Sequence, residues 1–245
     1  MRERPFYLRA AGIVLLAAVL SGCETGGPGM SVKGRVVAGD VPVSGSSVSL
    51  LIAGNVVSES LAFGKTDSEG NFSINFNKPA ESGIVYAIAR GGKPKGSPSE
   101  NEALAFLTVI GDINDRPGFV TLNELTTAAS VWTYAQFLNG SLITGNRTGI
   151  YNAASNVRNI VDIETGSPGA VIRNADNGTK TNALPLVNTL GNIVHECAAL
   201  TSADACANLF SETAPPGWDV PEDTLAALHN IALNPWWNAA GIYSL

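Results

Sequence analysis

Two periodicities divide the chain. Between residue 32 and about residue 120, apolar side chains recur at alternate positions in short runs. Phe72, Ile74 and Phe76 alternate with Ser73, Asn75 and Asn77, and Val48, Leu50 and Ile52 alternate with Ser47, Ser49 and Leu51. A period of two is the signature of a strand with one buried face. "IVYAIARGG" and "ALAFLTVIG" are further strand candidates, the second so apolar that a central position is expected. Gly, Pro, Ser, Asn and Asp punctuate these runs about every eight to twelve residues, so roughly six or seven short strands are expected to form a β-sandwich. The polar stretch 91–102, "GGKPKGSPSENE", reads as a long, exposed and mobile loop.

From residue 121 the period becomes helical. "TLNE" has the form of a capping box, with Thr121 as the cap and Glu124 reaching back. Behind it Leu125, Ala128, Trp132, Ala135 and Leu138 would share one buried face, and Asn139-Gly140 would end the helix. A second amphipathic stretch carries Ile150, Ala154, Val157 and Val161. A third carries Leu186, Leu190, Ile193 and Cys197, with Pro185 tolerated in its first turn. A short helix around Cys206, Leu209 and Phe210 follows. The last is expected to begin at Asp219, to bury Leu225, Leu228 and Ile231, and to stop at Asn234-Pro235. The fold class expected is therefore α+β with segregated domains: an antiparallel β-sandwich over 32–120, then a small α-helical domain over 121–245, each with a modest core of its own.

The first thirty residues follow neither pattern. Arg2, Arg4 and Arg9 precede an unbroken apolar run over 11–20, too short to span a bilayer and of the length of a signal-peptide core. It ends in Leu20-Ser21-Gly22-Cys23, which resembles the bacterial lipoprotein signal. That resemblance implies a signal peptide over 1–22 and acylation of Cys23 as the first residue of the mature chain. Acyl chains bind a bilayer by about 0.8 kcal/mol per buried CH₂, so several on one residue anchor firmly. Residues 23–31 would then be the lipidated cysteine and a Gly-rich flexible tether. Glu24, where an aspartate could stand, is similar to the pattern of lipoproteins sorted to the outer membrane. The expected location is thus the bacterial cell envelope, with the membrane as partner through the lipid.

Charge narrows the partners further. The chain has 15 basic and 21 acidic residues, and loss of 1–22 would take its net charge from −6 to about −8. Such a surface repels phosphate backbones, so nucleic acid is not an expected partner. Cys197 and Cys206 remain as an even pair at short spacing, which in an oxidising compartment reads as a disulfide clipping two consecutive helices. A metal pair is the alternative, though no CxxC motif or histidine cluster accompanies it.

Little else suggests chemistry. In "GKTDSEGNFSI", Asp67, Glu69 and Asn71 stand at alternate positions as calcium ligands would, but the twelfth residue from Asp67 is Lys78 rather than glutamate. A hairpin turn with Asp67 at its first position and Gly70 in the left-handed region fits better. "GDINDRPG", with Asp112, Asn114 and Asp115, reads as an Asx turn or a weak cation site. His195 and His229 each fall on a helix, and none of the common hydrolase or nucleotide-binding motifs occurs. Trp218, Trp236 and Trp237 are a possible binding patch for sugars or a protein partner, against the simpler reading of core packing. No cofactor, metal or catalytic residue is expected.

Two resemblances carry the reading further. "GRVVAGDVPVSGSSVSL", "TDSEGNFSI" and "VYAIARGG" resemble a carboxypeptidase regulatory-like (prealbumin-like) sandwich, a pattern informative about fold rather than activity. "NEALAFLTVIG", "VTLNELTTAASVWTYAQFL", "LVNTLGNIVHECAAL", "CANLF" and "DTLAALHNIALNPWWNAAGIYSL" together look like the N-terminal region of bacterial lipoproteins that carry NHL-type β-propeller repeats. That resemblance implies the Cys197–Cys206 disulfide, and a propeller beginning roughly where this chain ends. The function expected is a non-enzymatic, lipid-anchored envelope module, structural or interactive. The alternatives are a carbohydrate or surface-polymer binder, the N-terminal part of a propeller lipoprotein, and an enzyme using His195 or His229 as a base.

Overall fold

The computed structural model describes residues 29–245. Its strands are β1 (Gly29–Ala38), β2 (Val41–Ser44), β3 (Ser47–Ile52), β4 (Glu59–Lys65), β5 (Asn71–Asn77), β6 (Ile84–Arg90), β7 (Lys93–Pro94), β8 (Ala105–Asp112) and β9 (Phe119–Leu122). Then come the helices α1 (Glu124–Tyr134), α2 (Arg147–Ile160), α3 (Ala170–Arg173), α4 (Ala175–Lys180), α5 (Ala183–Ala199), α6 (Ala205–Glu212), α7 (Thr224–Leu233) and α8 (Ala239–Tyr243). Two small ribbons lie among them, Leu138–Asn139 with Leu142–Ile143 and Val161–Asp162 with Ser167–Pro168.

The strands form two sheets. One runs β5-β1-β2-β7 with β9 added to β1, and the other runs β4-β3-β6-β8. All pairings in these sheets are antiparallel except β1 with β9, which is parallel. The expected boundary at residue 120 therefore falls inside a strand of the sandwich.

Alternation along the second sheet accounts for the third layer. Val85, Ala87 and Ala89 of β6 join Val48, Leu50, Phe72, Ile74 and Phe76 in the core between the sheets. Ile84, Tyr86 and Ile88 point the other way, into a second core with Val131, Tyr134, Val157, Val194 and Leu228 of the helices. The architecture is thus α+β in three layers: sheet, sheet, helices. The helical part does not close a core of its own; it shares the outer face of the second sheet. Both faces of β6 and β8 are covered, which is why they read as apolar runs. For β8 that reading misplaces the strand, which stands at the sheet's edge rather than its centre.

The edge is closed by hydroxyls. Ala105 N donates to Thr224 Oγ1 (3.0 Å), Leu107 N to Thr127 Oγ1 (3.1 Å) and Val109 N to Ser130 Oγ (3.0 Å). These are the alternate amides that β6 leaves free, and Thr108 Oγ1 adds a bond to Thr126 Oγ1 at 2.8 Å. Helix α1 consequently turns Thr126, Thr127 and Ser130 inward, all fully buried. Trp132, expected in the core, is rotated out and is 42 % exposed.

Helix starts also differ from expectation. Thr121 stays in β9, and the capping box forms two residues later: Asn123 Oδ1 accepts from Thr126 N, while Thr126 Oγ1 accepts from Asn123 N. The α7 cap is Asp223, not Asp219; it accepts from Ala226 N and pairs with Arg90 of β6 at 2.6 Å. Together with the Thr224 hydroxyl on Ala105, that ion pair gives the start at Asp223 tertiary contacts that the local sequence does not report. The 91–102 loop is partly tied down, with β7 paired to β2, and Asn101, 2 % exposed, donating to Cys197 O and Ala198 O.

The Asp67 turn is present but joins the two sheets rather than closing a hairpin, because β4 pairs with β3 and β5 with β1. Asp67 Oδ1 accepts from Glu69 N (2.9 Å) and Asn71 N (2.8 Å). Gly70 has φ +74°, and a side chain there would lie 2.7 Å from Val36 O. Gly70→Val should therefore lower stability by at least about 2 kcal/mol, from left-handed strain and displacement of β1. Urea denaturation reads this out, and the loss should be the same with calcium or with a chelator.

Candidate functional site

The polar arrangement with most chemistry begins at the start of α1. The Asn123–Thr126 box fixes the first turn and puts Glu124 at its first position, buried at 4 % exposure. Glu124 Oε1 accepts from Gly39 N at 2.8 Å and from Nδ1–H of His195 at 2.9 Å. Gly39, in the β1–β2 turn, has φ +59°, and a Cβ there would stand 2.6 Å from His195 Cε1. Only glycine lets the imidazole lie across that turn. Three distant segments, one from the sandwich and two helices, thus meet at one carboxylate.

They border an open cleft of about 480 Å³ lined by Arg35, Asp40, Asn188 and Asn192 together with Glu124 and His195. Asn188, Asn192 and His195 are spaced four and then three residues apart, so they share one face of α5. Arg35 is held by Thr121 Oγ1 (3.3 Å) and Thr165 O (3.2 Å). The hydrogen bond to Glu124 raises the pKa of His195, against the lowering effect of burial; the charges of Glu124, Glu196 and Asp40 add to the rise. Among the described residues, His195 Nε2 has no hydrogen-bond partner. The cleft therefore offers a carboxylate-oriented imidazole, a guanidinium, carboxamides and a further carboxylate, a mixed set of donors and acceptors suited to a polar ligand.

No protein-family model and no curated protein sequence matches the chain. Among solved structures, part of it is similar to a 9R-lipoxygenase from Cyanothece PCC8801, at 14 % identity and a TM-score of 0.24. The overlap covers 38 % of this chain and 15 % of that one. So poor a superposition establishes neither a shared fold nor a shared activity.

The residues singled out in the sequence are scattered. Cys197 and Cys206 form a disulfide that ties the end of α5 to the start of α6. Cys23 lies outside the described residues. Trp236 is 89 % exposed and Trp218 42 %, whereas Trp237 is half-buried, with its indole N–H enclosed and unpartnered. None of the three lines the cleft. His229 Nε2 bonds to Ala135 O at 3.0 Å, a link between α7 and the end of α1. Asp112 Oδ1 accepts from Asn114 N (2.7 Å) and Oδ2 from Tyr151 O–H (2.7 Å), an Asx turn bound to α2. Among the described residues no group of three or more His, Cys, Asp or Glu could hold a metal ion. Sequence reasoning treated Glu124 as a capping residue and passed over Arg35, Gly39, Asn188 and Asn192. Only the Asn188–Asn192–His195 spacing could have pointed to the cleft.

The Glu124–His195 pair gives a signed pH dependence. A raised imidazole pKa in the folded state contributes stability that is fully present below the unfolded value of about 6.5 and is lost as pH rises through the folded value. Wild type should therefore exceed His195→Ala in stability most at about pH 5–6, and the margin should shrink above pH 6.5. The imidazole is 40 % exposed, so screening should keep this pH-dependent part below about 1 kcal/mol. Urea denaturation from pH 5 to 9 checks it, and a margin that widens with pH contradicts it. Glu124→Ala should cost more, about 1–3 kcal/mol, because it also strands Gly39 N.

Proposed function

We propose that the chain is a lipid-anchored protein of the bacterial cell envelope, acting as a non-enzymatic interaction module. The observation that carries this reading is polarity along β1. The lipoprotein-like Leu20-Ser21-Gly22-Cys23 stands a few residues before Gly29, the first residue of β1. The Glu124–His195 cleft lies at its other end, lined by Arg35 and Val37 within the strand and by Gly39 and Asp40 just past it. At about 3.3 Å per residue, β1 carries the cleft residues roughly 20–30 Å from Gly29. Attachment at one end and an open polar cleft at the other suit a module that holds a partner away from the membrane surface. The resemblance to the N-terminal region of NHL-repeat lipoproteins supports the same placement, and Glu24 after Cys23 favours the outer membrane. Among the described residues no helix is long and apolar enough to cross a membrane, so in this reading the lipid supplies the attachment.

A second reading, a carbohydrate or surface-polymer binder, is favoured by Trp236, whose indole is exposed enough to stack on a sugar ring. In that case Trp236→Ala should reduce retention on insoluble cell-wall polysaccharide, whereas Trp132→Ala, at a partly exposed indole on α1, should not.

The anchor is tested by metabolic labelling with a radioactive or clickable fatty acid. Wild type should take up label and float with membranes; Cys23→Ala should do neither. An unlabelled wild-type chain recovered from the soluble fraction contradicts the proposal.

A further inference from the structure

The sandwich has one end where several independent contacts converge on the start of β1. Gly29 pairs with Asn77, the last residue of β5. The loop 78–83 leads from there to Ile84, whose carbonyl accepts from Ala53 N at 2.8 Å. Ile113 N donates to Gly83 O, and Arg116 Nη2 reaches Ser31 O. The segment 53–58 that leaves β3 therefore sits at the same end as Gly29, beside the 79–83 loop.

At the tip of that segment are two adjacent valines exposed to solvent, Val56 at 89 % and Val57 at 67 %. Their presentation is fixed from both sides. Gly54 pairs with Thr144, and its carbonyl accepts from Gly145 N. Ser58 Oγ donates to Ile143 O at 2.7 Å and accepts from Tyr86 O–H at 2.8 Å. Between these clamps the sequence "AGNVVS" has no charged side chain. The turn itself carries no ion, so its two valines can enter an apolar phase while the neighbouring Glu59, Glu81 and Arg147 would stay at the headgroups. The cost is partial desolvation of the turn's backbone and of Asn55.

We infer that the 54–58 turn is a membrane contact, with Val56 and Val57 entering the lipid interface beneath the sandwich. The inference rests on the proposed acylation of Cys23. Five residues lie between Cys23 and Gly29, so the six steps reach at most about 22 Å even fully extended. The lipid would therefore hold this end of the sandwich, and no other, against the bilayer. The valine turn steadies the module on its short tether and directs the Glu124–His195 cleft outward.

Hydrogen exchange read by mass spectrometry on phosphatidylethanolamine–phosphatidylglycerol vesicles tests this. One sample is the full chain matured in bacterial membranes. The other is the chain 23–245, which keeps every described element, coupled through the Cys23 thiol to a maleimide phospholipid. Amides of 55–57 should exchange at least about tenfold more slowly on vesicles than in solution, while those of Ser97, Ser99 and Glu100, at the far end, should not change. The double variant Val56→Asp with Val57→Asp should lose the slowing but still float with the vesicles and keep the wild-type melting temperature. Slowing only in the maleimide-coupled sample leaves the contact standing and removes natural acylation. Unslowed exchange at 55–57 in coupled, floating protein overturns the contact. So does slowing that appears without vesicles as protein concentration rises, which would assign the turn to a second copy of the chain.

Discussion

Three helix hydroxyls closing the free edge of β8 are the constraint on which the other parts depend. A sheet edge covered by helices leaves every second amide without a ladder partner, and each buried N–H left so costs about 1–3 kcal/mol. Thr127, Ser130 and Thr224 meet that demand at Leu107, Val109 and Ala105. In doing so they fix the rotation of α1 and the starting point of α7. Glu124 lies one turn before Thr127 on α1, so the seal on β8 also sets where its carboxylate stands between Gly39 and His195.

The same constraint explains where sequence reading succeeded and failed. Alternation in 71–77 assigns the inward face of β5 correctly, because one side of that strand is buried and the other wet. Both-sided burial makes β8 look central, since hydropathy does not report what lies along a strand's edge. For α1 apolar periodicity selects the wrong stripe. The buried face includes threonines and a serine whose value lies in their hydroxyls, and Trp132 is left outside. A local capping pattern similarly places α7 at Asp219, whereas the contacts at its observed start, Thr224 on Ala105 and Asp223 on Arg90, reach more than a hundred residues back.

The cleft was scarcely legible. Glu124 and His195 are 71 residues apart and are joined through the β1–β2 turn, so no local pattern contains the pair. The disulfide, by contrast, could be read because its chemistry needs only two thiols close in sequence on consecutive helices. For the proposed function the sequence supplies the lipoprotein-like start, and the structure adds direction: Gly29 at one end of β1 and a polar cleft at the other.

Amide exchange along β8, followed by NMR, tests the edge seal most directly. The amides of Leu107 and Val109 should exchange as slowly as those of the interior strand β6. In Thr127→Val, Leu107 should accelerate by at least about tenfold, the equivalent of roughly 1.4 kcal/mol, with a smaller change at Val109; Ser130→Ala should reverse that order. If Leu107 and Val109 exchange rapidly in the wild type, or if neither substitution changes its own partner amide, the helices do not hold the sheet edge as described.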